Sequence, residues 1–145
     1  MRPAAGLVAG LLVAPLLSAC GHGQGYCDRV KDHQAEIGSV MNSGDQTGAL
    51  QLLSAFQDLQ AAAPDDVKDD WQLLVTRIGA LKSALDDAGV DASSYDPHHP
   101  PSGLTATQKA GIRRAAAQLA ASDTVQALSA VQQEVLDVCH TPLEL

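Results

Sequence analysis

His98 and His99, set among Asp91, Tyr95 and Asp96 in a proline-rich stretch, are the residue types in this chain most suited to chemistry. Two imidazoles near carboxylates are the raw material of a zinc or copper site. Their spacing argues against one. Adjacent residues of an extended segment point to opposite sides, and no third ligand lies at a fixed nearby spacing. Asp65, Asp66, Asp69 and Asp70 form the other acidic group. An EF-hand would need alternating ligands, a central glycine and a final glutamate, none of which is present, so the four acids read as a solvated face that complements a helix dipole. There is no G-x-S-x-G, S-x-x-K, H-E-x-x-H, phosphate-binding loop or C-x-x-C pair, and His33 and His140 stand alone in the sequence. The chain is expected to hold no metal or other cofactor and not to be an enzyme.

The cysteines carry a different kind of chemistry. Leu17-Ser18-Ala19-Cys20 closes an apolar run that begins near Ala4 behind Arg2. At roughly 14 residues the run suits an export signal and falls short of the about 20 needed to span a bilayer. Its ending resembles the lipobox of bacterial lipoproteins, whose cysteine receives a thioether-linked diacylglycerol and becomes the amino terminus after cleavage. By that resemblance residues 1–19 are the signal peptide and Cys20 is the lipidated residue. Lipidation accounts for the odd member of three cysteines, leaving Cys27 and Cys139 as a disulfide pair in an exported protein. Two or more acyl chains would hold the protein stably at the membrane.

Charge and composition narrow the partners. The chain has 9 Lys and Arg against 17 Asp and Glu; only Arg2 lies within residues 1–19, so the remainder carries 8 against 17, a formal charge of −9. Such a surface repels phosphate backbones and anionic headgroups alike, which excludes nucleic acid and leaves the lipid to make the membrane attachment. Aromatic content of 3% offers no stacking platform for bases.

The elements that position these residues read as helices. Gly21, Gly23 and Gly25 alternate with polar residues, so 20–25 is expected to be a flexible tether beyond the lipidated cysteine. A first helix is expected over Tyr26–Met41, with Cys27, Val30, Ile37, Val40 and Met41 on one face, and Gly44 just past its end. A second opens near Asp45 and turns Ala49, Leu50, Leu53, Phe56 and Leu59 inward. Val67, Trp71, Leu74, Ile78, Leu81, Leu85 and Ala88 alternate steps of four and three, the stripe of a bundle helix, which Gly89 closes. The segment 91–103 is a long loop. Thr105 and Gln108 fit a capping box opening a fourth helix with Ile112, Ala116 and Leu119 inward. Ser122 or Asp123 should cap a fifth, carrying Val125, Leu128, Val131, Val135 and Val138 on its buried side, with Pro142 marking its end.

The fold expected is all-α, an antiparallel bundle of about five helices in one domain, 26–145, stapled by one disulfide. Joining Cys27 to Cys139 constrains it: five antiparallel passes put the chain's two ends at opposite poles, so one helix must lie across the others or be short. The alanine-rich fourth helix or the long loop is the expected irregularity.

The lipobox, the Tyr26-Cys27 start, the Ala63-Pro64-Asp65-Asp66 opening with Trp71 and the Asp137-Val138-Cys139 ending resemble small helical lipoproteins of high-GC Gram-positive bacteria. The resemblance implies an exported domain on the outer face of the cell membrane, anchored through Cys20, and carries no assigned activity. The function expected is a non-catalytic binding or interaction module of the cell envelope, meeting another envelope protein. The alternative is a lipoprotein that binds a small ligand or metal through the 91–103 loop, with Tyr95, His98 and His99 as its contact residues.

Overall fold

The computed structural model describes residues 22–145 apart from residue 46. The expected signal peptide at 1–19, the expected lipidation site Cys20 and Gly21 lie outside the described residues. The chain is an all-helical bundle: α1 (His22–Asn42), α2 (Gly48–Gln51), α3 (Leu53–Ala62), α4 (Lys68–Asp87), a 3₁₀ turn (Ala92–Ser94), α5 (Ala106–Leu119) and α6 (Ser122–Cys139), with no strand among the described residues. The first helix begins four residues before Tyr26, so residues 22–25, expected in the tether, belong to α1.

Helix α4 is the axis. Val67, Trp71, Leu74, Ile78 and Leu85 are buried along the stripe that the spacing predicts, with Leu81 and Ala88 half-buried beside them. It packs on α3, α5 and α6, and α1 packs on α3 and α6. Helices α1, α3, α4 and α6 thus form a closed ring, and α5 lies against α4 outside it. This arrangement answers the parity problem. With α5 displaced, α6 can return antiparallel to α1, and Cys27 and Cys139 are bonded with their Cα atoms 5.2 Å apart.

The second expected helix is divided at Leu52. Its N–H donates to the Gly48 carbonyl (3.2 Å) and its carbonyl accepts from Phe56 (2.9 Å), so hydrogen bonding continues through the break. The backbone there (φ −84°, ψ 1°) departs from helical values, and the departure rotates Leu52 into the core while Leu53 is only half-buried. Gly48 explains why the chain turns so close to α1: a Cβ there would lie 2.9 Å from Val40 Cγ1.

Of α4, α5 and α6, only α5 opens on a side-chain cap. Thr105 and Gln108 form the expected capping box, each side chain engaging the other's backbone N–H. α6 differs from expectation: its N-cap is Ala121 with no side-chain bond, and Asp123 Oδ1 instead accepts from the Thr124 N–H (2.9 Å). At the end of α4, Gly89 (φ 68°) takes the left-handed position while Val90 N–H reaches the Leu85 carbonyl and Gly89 N–H that of Asp86, both at 2.9 Å. That pair of bonds is a Schellman motif. No atom crowds a Cβ at this position. Gly89→Ala should therefore cost about 1 kcal/mol from backbone strain alone, read as a lower urea midpoint with an unchanged slope.

The inward faces of α5 and α6 are rotated from those expected. Ala115 rather than Ala116 is buried beside Ile112, and α6 buries Thr124, Ala127, Val131 and Val135 while Val125 and Val138 are 54% and 40% exposed. After α6, His140 adopts φ 53° and turns the chain back. The segment Thr141–Leu145 then runs along α1: Gln34 Nε2 donates to the Pro142 carbonyl (3.0 Å), Asn42 Nδ2 to Glu144 (3.3 Å), and Leu143 is buried in the core. Gln132 of α6 holds the Leu145 carbonyl from the other side (3.2 Å). The tail fills the α1–α6 seam.

Candidate functional site

The loop residues singled out from the sequence are brought to one shallow hollow, lined by Tyr95, Asp96, Pro97, His98 and His99 together with Gly44 and Asp45. Their chemistry is mostly spent on the loop itself. Asp96 accepts from the His98 backbone N–H (2.7 Å) through Oδ1 and lies 2.8 Å from His99 Nδ1 through Oδ2, bonds that hold its carboxyl below the usual range, the His99 side chain first among the causes. Asp91 does the same for the 3₁₀ turn, taking both the backbone and hydroxyl hydrogens of Ser93. Tyr95 is half-buried, facing Leu50, Leu81 and Leu119 between the ends of three helices. Among the described residues, no group of three His, Cys, Asp or Glu side chains is placed to hold a metal ion. The loop is organised as a strap that closes one end of the bundle.

His33 is not isolated as its sequence setting suggests. It sits between Glu36 of its own helix (3.4 Å) and Asp58 of α3 (3.3 Å), a contact that ties α1 to α3 when the ring is protonated. The acids near the disulfide end crowd one another. Glu134 of α6 has its carboxyl raised by partial burial first, then by the neighbouring charges of Asp66 and Asp137. Asp69 and Asp70 occupy the first turn of α4, as dipole complementarity predicts.

The chemically distinctive site is a half-open apolar pocket of about 200 Å³, lined by Met41 of α1, Ala49 of α2, Phe56 of α3, Trp71, Leu74 and Ile78 of α4, Leu119 of α5 and Thr124, Val125 and Leu128 of α6, with Leu145 of the tail beside them. The polar side chain in this lining is already committed: the Thr124 hydroxyl donates to the Gln118 carbonyl (2.9 Å), pinning the α5–α6 junction. Trp71, fully buried at the floor of the pocket, donates its Nε1–H to the Tyr26 hydroxyl (2.8 Å), so the indole N–H is not free for a ligand. Met41 and Val125 are exposed at 38% and 54%, marking where the cavity meets solvent. Nothing in this lining can activate a nucleophile or transfer a proton. It can bind apolar matter.

Sequence patterning names most of these residues as core and misses that they fail to fill the core. The available signal is the small residues Ala49 and Thr124 opposite large ones, together with a buried-face assignment for Val125 that the structure reverses. Comparison with known protein families, curated proteins and solved structures finds no match for this chain. Fold and site define a class: a small, disulfide-closed helical bundle with an apolar pocket.

Proposed function

We propose that this protein is an exported, lipid-anchored module on the outer face of the cell membrane that works by binding rather than by catalysis. The observation that carries the reading is the pairing of Cys27 with Cys139, since such bridges persist where the compartment is oxidising. With those two cysteines bonded, Cys20 is left over at the end of a sequence resembling a lipobox. The bridge sits near the start of α1, five residues beyond His22, so the anchored end of the domain is also its covalently fixed end. Support for binding comes from the cavity, whose lining suits contact and not bond-making. The bundle interior is accordingly the better candidate surface than Tyr95, His98 and His99, whose loop is engaged in holding itself.

Replacing the lipidated sulfur tests the anchor. Cys20→Ala should abolish the diacylglycerol modification and move the protein from the detergent-rich to the aqueous phase of a temperature-induced partition, or leave it unprocessed. Wild-type protein found unlipidated and wholly aqueous would overturn the proposal.

A further inference from the structure

We infer that the half-open apolar pocket lined by Met41, Leu119, Val125 and Leu128 is a binding site for one aliphatic chain, such as the end of a fatty acyl or alkyl group. The inference deepens the binding reading and rests on it, but not on the lipid anchor. Three observations converge. First, size: at about 200 Å³ the pocket is below the roughly 300–1,000 Å³ of sites for drug-sized ligands, which suits a narrow chain better than a ring system. Second, chemistry: the Thr124 hydroxyl is spent on the Gln118 carbonyl and the Trp71 N–H on Tyr26, so neither is left seeking a polar ligand group or a bound water. Third, access: Met41, half out of the fold with a flexible thioether side chain, and Val125 beside it give an apolar doorway that would keep a chain's polar end outside.

The cavity also brings its own reporter. Trp71 is the sole tryptophan of the chain and lines the site while being fully shielded from water. Bromine quenches indole emission only at close range, so a brominated chain seated in the cavity must dim it. The full-length chain in uncharged lipid vesicles, titrated with 8-bromooctanoate, should lose more than half its Trp71 emission along a saturable curve, and unbrominated octanoate should restore it by competition. Bromoacetate, which has the same charged end and no chain, should leave the emission unchanged. Ala49→Leu, and independently Leu128→Phe, should fill the space, cut the quenching at least fivefold and raise Tm. Failure of wild-type protein to quench would overturn the inference. So would equal quenching by the filled variants, since that places the probe in the bilayer or on the surface. Either failure leaves the anchor intact, because the Cys20→Ala partition reads the anchor and not the cavity.

Discussion

Reducing the Cys27–Cys139 bond should cost this domain more stability than any single side-chain change. The bridge spans 112 positions, and in the chain-entropy model a loop of about 100 residues restricts the unfolded chain by roughly 4.7 kcal/mol. Domains of this size hold only about 5–15 kcal/mol in all. At roughly 2 cal/mol/K per residue of unfolding entropy, the loss corresponds to a fall in Tm of about 15 °C or more. The location enlarges the consequence. Helices α1 and α6 pack on each other with the Thr141–Leu145 tail held along them by Gln34 and Gln132, and the bridge ties the same two helices covalently. Melting curves with and without a phosphine reductant, and of the Cys27→Ala/Cys139→Ala variant, check the expectation. A shift of only a few degrees, or two freely alkylatable thiols at these positions in the unreduced protein, would refute it.

Why some of this was legible in the sequence and some was not can be traced to particular residues. Helix α4 reads correctly because Val67 through Leu85 are large, apolar and regularly spaced, and tertiary packing had nothing to override. The staple reads correctly because setting Cys20 aside, on its resemblance to a lipobox cysteine, leaves a single pairing. Helix α6 misleads because two of its four buried positions are the small residues Thr124 and Ala127, while two of its four valines, Val125 and Val138, are turned outward. The break at Leu52 has no punctuating residue at all; it follows from Gly48 docking against Val40, a contact between segments that no local pattern records. Likewise Leu143 follows Pro142, which reads as a stop, and its burial depends on His140 adopting a left-handed turn. The cavity is invisible to patterning for a deeper reason. Hydrophobic periodicity says which side chains point inward, and only packing says whether they meet.

Tyr26→Phe should destabilise the domain near neutral pH and yet make it less sensitive to alkali. Tyr26 and Trp71 are both fully buried, on α1 and α4, and the phenolic oxygen accepts the indole N–H at 2.8 Å. Removing the oxygen strands that N–H without water, a loss of about 1–3 kcal/mol. The Trp71 ring also packs on Phe56 with centroids 5.8 Å apart, so the indole cannot swing away to find another acceptor without breaking core contacts. The alkaline effect has the opposite sign. Burial pushes the Tyr26 hydroxyl up to about 12, and the carboxylates of Glu134 and Asp66 add to the rise while the bond from Trp71 opposes it. The folded protein therefore holds this proton more tightly than the unfolded chain, whose tyrosine titrates near 10. Its contribution is complete below about pH 10 and is lost as pH rises toward about 12, by at most about 2–3 kcal/mol. Phenylalanine has no proton to lose. Urea midpoints measured from pH 7 to 12 should start lower for the variant and converge on, or cross, those of wild type above pH 10. Parallel curves across that range would show that Tyr26 does not ionise within the folded core, and a variant as stable as wild type at pH 7 would show that the indole N–H is not held by it.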